Sequence, residues 1–142
     1  AFSVFVDDVQ ARVDAERAEI ERRRGLDDPA WFLNYHTLAE IDAYLATLST
    51  NFPTMTSTFV AGTTLQGRPI RGIRIFGSGG QGTRPAILFN GGQHAREWIN
   101  PATCMFIADQ LLEQYATSGR VRGLVDAFEY VIIPVVNGDG YE

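Results

Sequence analysis

His94 and Glu97 are the residues of this chain whose types and spacing most directly offer chemistry. Imidazole nitrogen and carboxylate oxygen are both good zinc ligands, and a catalytic zinc usually takes three protein ligands and one water. The pair lies in Ala86-Ile87-Leu88-Phe89-Asn90-Gly91-Gly92-Gln93-His94-Ala95-Arg96-Glu97-Trp98. The apolar run reads as a buried strand, and the two glycines allow a turn that other residues resist. A helix follows, with Asn100 as its N-cap and Pro101 as its first residue. A His and a Glu at such a strand-to-helix turn can aim at one ion. They lie at the carboxyl edge of a sheet, where open α/β folds bind ligands. The bland alternative is a surface His beside a helix-start acid, which the helix dipole favours anyway.

A complete site needs a third ligand. His36 is the only other histidine, and Cys104 is the only thiol. His36 stands just before a helical pattern, a position suited to packing or capping. Cys104 falls on the apolar side of the helix after the turn and reads as a small core residue. An Asp or Glu elsewhere, or a residue outside this chain, completes the choices.

Four segments carry a family resemblance. Gly92-Gln93-His94-Ala95-Arg96-Glu97-Trp98-Ile99 closely resembles the zinc-binding segment of the metallocarboxypeptidases, in the branch that includes the digestive carboxypeptidases A and B. Tyr35-His36-Thr37-Leu38-Ala39-Glu40-Ile41 is similar to the start of that family's mature enzyme. Gly62-Thr63-Thr64-Leu65-Gln66-Gly67-Arg68-Pro69-Ile70 resembles its first hairpin. Ile133-Pro134-Val135-Val136-Asn137-Gly138-Asp139-Gly140-Tyr141 resembles its strand ending in Asn-Pro-Asp-Gly-Tyr, with Gly138 where the family commonly has Pro. Gly loosens a turn that Pro would stiffen.

The resemblance covers most of the chain after Asp28. It implies Zn2+ as cofactor, His94 and Glu97 as metal ligands, and Arg96 as a contact to substrate. The implied parent is an exopeptidase acting on the C-termini of peptides and proteins, secreted or vacuolar. Arg96 read alone is split between binding substrate and pairing with a loop acid. The family's third ligand (a His), its carboxylate-holding arginines and its water-activating Glu all lie downstream of Glu142. No catalytic residue is therefore assigned within this sequence. The chain is expected to be a fragment or processed piece, inactive alone. A non-catalytic relative that keeps the metal segment stays open as the alternative. A zinc deacylase with a similar His-x-x-Glu fits Ala95, Arg96 and Trp98 less well.

The elements that position the pair follow from pattern. The fold class is α/β, a layered mixed β-sheet flanked by helices, which the resemblance equates with the N-terminal half of a carboxypeptidase-like fold. Asp7 to Arg24 has helical periodicity, with Val9, Val13 and Ile20 on one stripe, and Gly25 stops it. Residues 1–28 resemble the end of an activation pro-segment, with Arg22, Arg23 and Arg24 as a site for an activating protease. Residues 29–142 are then the incomplete catalytic domain.

Asp27 to Asn34 is expected to be a linker. Thr37 and Glu40 form a capping box before a helix whose buried face holds Leu38, Ile41, Leu45 and Leu48. Met55 to Gly62 and Pro69 to Phe76 make a hairpin, with Arg68, Arg71 and Arg74 on a solvated edge and the last two on opposite faces. Gly77 to Arg84 is a flexible connection that lacks a phosphate-binding pattern. The helix after the turn is expected to bury Cys104, Ile107, Leu111 and Tyr115, widened by Phe106 and Leu112. A short helix near Val121 to Asp126 follows. Phe128 to Val136 is an apolar strand at the sheet centre, and in a half sheet it becomes an exposed edge. Asp139 reads as a turn residue between glycines.

A formal net charge of −5 with no basic stripe speaks against nucleic acid. No run approaches the length of a membrane helix.

Overall fold

The computed structural model describes residues 5–23 and 28–141. The chain divides into two compact units, Ala1–Tyr35 and His36–Glu142.

In the first unit, α1 spans Val9–Arg23. Asp8 Oδ1 accepts the Ala11 N–H at 2.9 Å, so an acid satisfies one first-turn donor. Val9 is 67% exposed, so the expected apolar stripe is not buried at its start. Arg24 and Gly25 lie outside the described residues, as do the side chains of Ile20, Arg22 and Arg23. The proposed cleavage site and helix stop fall there. The expected linker contains a short 3-10 turn, Asp28–Leu33.

The second unit holds the sheet. Helix α2, Leu38–Asn51, opens on the capping box, with Thr37 Oγ1 accepting the Glu40 N–H and Glu40 Oε2 accepting the Thr37 N–H. Ile41, Leu45 and Leu48 are buried at i, i+4 and i+7, while Leu38 is half-buried. Strands β1, Thr56–Thr63, and β2, Pro69–Ile75, form the hairpin. After β3, Ala86–Asn90, come helices α3, Ile99–Glu113, and α4, Gly119–Ala127. Strand β4, Glu129–Ile133, precedes a one-turn helix α5, Gly138–Tyr141.

The four strands are ordered β1-β2-β4-β3. The β1–β2 and β2–β4 pairs are antiparallel and β4–β3 is parallel, so the sheet is mixed. Helices α2 and α3 pack on the sheet and on each other. Ile73, Ile75, Met105, Leu112 and Ile132 are closed to solvent at the centre of this core. Tyr44 donates to Asp109 Oδ1 at 2.7 Å, tying α2 to α3.

This strand order changes several expectations. Strand β4 lies between β2 and β3, so the apolar run from Phe128 is interior. The outer positions belong to β1 and β3, and Leu88 of β3 is 58% exposed. Among the described residues the run before the glycines is thus an outer strand and not the buried one expected, since burial depends on a neighbour that local pattern does not specify.

Strand β2 is likewise interior, and its arginines meet carboxylates. Arg71 Nε lies 3.1 Å from Asp42 Oδ2 on α2, and Arg74 Nη1 lies 2.7 Å from Glu129 Oε1 on the other face. The two do point to opposite faces, but neither is merely solvated. In α3 the buried residues are Pro101, Cys104, Met105, Ala108, Asp109, Leu111 and Leu112; Ile107 and Tyr115, expected on that face, are only half-buried, and Phe106 turns out to solvent at 48% exposure. Burial pushes the Cys104 thiol up to about 11, as a core residue requires.

The Gly77–Arg84 connection is pinned at several points. Asp126 Oδ1 accepts from Ser78 N at 2.9 Å and from Ser78 Oγ at 3.0 Å. Glu129 Oε2 accepts the Gly82 N–H at 2.6 Å. A Cβ on Gly77 would fall 2.2 Å from Asp126 Oδ1, so only glycine fits against that clamp.

Candidate metal centre

The parallel ladder of β3 and β4 runs on past the last strand residue. Gly91 N–H donates to Ile133 O at 2.9 Å, Val136 N–H to Gly91 O at 3.0 Å, and Asn137 N–H to Gly92 O at 3.0 Å. A Cβ at Gly91 would meet Pro134 O at 2.7 Å, and Gly92 has φ of +60°. The two glycines are therefore fixed by different needs, close approach at Gly91 and left-handed backbone at Gly92.

The chain then turns. Glu97 N–H donates to His94 O at 3.0 Å, which closes the loop and brings the two side chains together. His94 Nδ1 lies 3.1 Å from Glu97 Oε1. The other carboxylate oxygen, Oε2, accepts from Asn100 Nδ2 at 3.0 Å. Asn100 is therefore not the N-cap. Helix α3 begins at Ile99, Trp98 holds the cap position without a side-chain bond, and the Asn100 amide is used to orient Glu97.

The side chains of His94 and Glu97 are 74% and 44% exposed. The tautomer with its hydrogen on Nδ1 makes this bond, whereas the other presents an Nδ1 lone pair beside the carboxylate oxygen. Imidazole plus carboxylate in that arrangement fits two ligands of a zinc ion. Arg96 is exposed and makes no ion pair among the described residues, which leaves its guanidinium available. The alternative of pairing with a loop acid is not realised.

Other acids and donors behave differently. His36 Nδ1 sits 3.5 Å from Glu40 Oε2, at the capping box. Among the described residues no group of three His, Cys, Asp or Glu is placed to hold a metal ion, so neither His36 nor Cys104 joins the pair. Asp139 is more than a turn residue. Its Oδ1 accepts from Thr64 Oγ1 at 2.7 Å and its Oδ2 from Gln66 N at 3.0 Å, fastening α5 to the β1–β2 loop. Arg68 Nε stands 3.3 Å from Asp139 Oδ1 but is not aligned for a hydrogen bond.

Comparison with known proteins decides the family. The zinc carboxypeptidase family model matches residues 41–142. The chain belongs to the zinc carboxypeptidase family. It is 39% identical to metallocarboxypeptidase A of Trichophyton tonsurans over 114 residues, 80% of this chain and 27% of that protein. It is 33% identical to carboxypeptidase A4 of Mus musculus over 142 residues, 99% of this chain and 34% of that protein. The crystal structure of thrombin activatable fibrinolysis inhibitor superposes with a TM-score of 0.86 at 26% identity, covering 99% of this chain and 35% of that one. The chain thus spans about a third or less of the relatives it matches.

Within this family segment, sequence reasoning missed Asn100 as the orienter of Glu97. The signal was present, since Asn100 follows Glu97 by the same three-residue step that links His94 to Glu97. It also missed the ring contact between Trp98 and Tyr141 and the Tyr141 hydroxyl donating to His36 O at 2.8 Å. Those partners are far apart in sequence and no local pattern announces them.

Proposed function

We propose that His94 and Glu97 are two ligands of a zinc ion in an exopeptidase that hydrolyses the C-terminal peptide bond of peptides and proteins. The observation that carries this is the His94–Glu97 pair, 3.1 Å apart at the carboxyl end of β3. Membership of the zinc carboxypeptidase family supports the metal and the reaction class. When bound, zinc supplies a Lewis acid that polarises a carbonyl and lowers the pKa of coordinated water.

The chain's own residues bind and orient. Asn100 holds one oxygen of Glu97 and leaves the other facing His94. Arg96 presents a planar fork of donors suited to a substrate carbonyl or carboxylate. Among the described residues no third ligand joins the pair.

Residues 1–28 are the end of an activation pro-segment in this reading, released by cleavage near Arg22, Arg23 and Arg24. Its support is the resemblance and the match of the whole chain to the mouse relative. Secretion goes with that reading. Among the described residues no helix is long and apolar enough to cross a membrane.

The test uses the protein at its natural length. Zinc content and release of C-terminal amino acids are measured for wild type, His94→Ala and Glu97→Ala. Wild type is expected to bind one zinc and release terminal residues, and both variants to lose the metal. Wild-type protein that binds no zinc contradicts the reading. Zinc binding without hydrolysis of any peptide series points instead to a non-catalytic relative.

A further inference from the structure

We propose that Asn137 is a positioning residue for the His94–Glu97 pair, an inference that rests on the zinc reading above. Asn137 stands where the chain leaves β4 and enters α5, and it touches the metal loop at two successive peptides. Its backbone N–H donates to Gly92 O at 3.0 Å. Its side-chain Nδ2 donates to Gln93 O at 3.3 Å, across 44 residues of sequence. That carbonyl belongs to the peptide group joining Gln93 to His94, so its orientation helps set the backbone from which the imidazole projects.

The other end of the amide is also used. Asn137 Oδ1 accepts the Gly140 N–H at 3.1 Å, and Tyr141 N–H donates to Asn137 O at 3.1 Å. The side chain is therefore held by α5 while it holds the loop. The same turn supports the loop further along. A Cβ on Gly140 would lie 3.0 Å from the Ala95 Cβ, and the Tyr141 ring meets the Trp98 ring edge-on at 6.5 Å between centroids. Residues 137–141 thus back the segment from Gln93 to Trp98. Without the amide the loop keeps its ladder bonds through Gly91 and Gly92 but loses its last tie before His94.

Asn137→Ser separates the two jobs of the amide. Serine caps a helix about as well as asparagine, so the Gly140 contact survives, but it is too short to reach Gln93 O and adds no charge beside the metal. Asn137→Ala removes both bonds. The experiment measures zinc affinity by chelator competition, unfolding midpoint of the metal-free protein, and hydrogen exchange of the Glu97 amide, whose bond to His94 O closes the loop.

The expected result for Asn137→Ser is about a tenfold loss of zinc affinity, the lower end of the effect of outer-shell partners. The Glu97 amide exchanges faster and the unfolding midpoint holds. Unchanged affinity and exchange overturn the inference while leaving the zinc reading intact. A loss of affinity matched by a fall in midpoint in both variants also overturns it, since Asn137 would then be structural only. Wild-type protein without zinc affinity removes the reading beneath, and the inference with it.

Discussion

The two ends of the β3–β4 strand pair hold their carboxylates in opposite ways. At the amino end, the Glu129 side chain is 3% exposed and both its oxygens are taken, one by Arg74 and one by the Gly82 N–H. Asp126 close by accepts from Ser78 and from the Tyr115 hydroxyl. At the carboxyl end, Glu97 is 44% exposed, has one oxygen oriented by Asn100, and turns the other to an imidazole that is still more open. The glycines differ in the same sense. Gly77 makes room for a carboxylate clamp, whereas Gly91 and Gly92 turn the chain outward. Acids at the first end close a loop, and the acid at the second end offers a lone pair. Residue type alone does not separate these roles, but saturation by donors does.

The contrast is broken most strongly at Glu129. Glu129→Ala leaves Arg74 unpaired over the Phe59 ring and the Gly82 N–H without its acceptor. A loss of about 3 kcal/mol in unfolding free energy is expected, at the low end for breaking a buried pair because Arg74 is part-exposed. Denaturant titration checks it. A change below about 0.5 kcal/mol would show that the amino end is not held as described.

A smaller effect sharpens the same end. The Ser78 N–H and the Tyr115 hydroxyl hold the Asp126 carboxyl below the usual range. A depressed folded pKa contributes stability above the unfolded value, about 3.9, and that contribution is lost as pH falls through the lower folded value. Asp126→Asn is expected to flatten the acid limb of a stability–pH profile below about pH 4. The Asp42 carboxyl is pushed up by burial against the pull of Arg71 and works in the opposite direction, so the variant must be compared with wild type and not with a fixed slope. An unchanged acid limb would contradict the clamp.

The smallest effect concerns the turn behind the His94–Glu97 loop. Gly138 opens α5, where a proline has no helical N–H bond to lose. A Cβ there would lie 3.1 Å from the end of the Leu38 side chain, which can shift, and in ordinary contact with the Arg68 and Thr64 side chains. Gly138→Pro is expected to stabilise by roughly 0.5 kcal/mol through the unfolded chain, seen as a raised thermal midpoint. A fall in midpoint would show that this turn is not preset for proline.

What the sequence showed clearly was local. The Thr37–Glu40 box, the hairpin and the short helix expected near Val121 to Asp126, which runs Gly119–Ala127, depend on neighbours within a few residues, and each lies where pattern places it to within a residue or two. The His94–Glu97 pair was legible for the same reason. The strand order was not. Interior β2 and edge β3 follow from long-range pairing, so Arg71 and Arg74 were assigned to an edge they do not occupy; the Phe128 run does lie inside the sheet as its apolar pattern implied, and the exposed edge expected there falls on β1 and β3 instead. Asp139 was underestimated because its partners Thr64 and Gln66 lie more than 70 residues away. Asn137 was hidden in the same way, inside a motif whose contacts are made across the sheet end.

The most direct test measures zinc affinity and unfolding free energy together for Glu97→Gln and Glu129→Gln in the protein at its natural length. Glu97→Gln should weaken zinc by more than the roughly 10–100-fold typical of an outer-shell change and leave the fold stable. Glu129→Gln should destabilise the fold and leave zinc affinity at the wild-type value. If both variants lose affinity in proportion to stability, or if Glu97→Gln binds zinc like wild type, the division between a closed end and a metal-binding end is wrong.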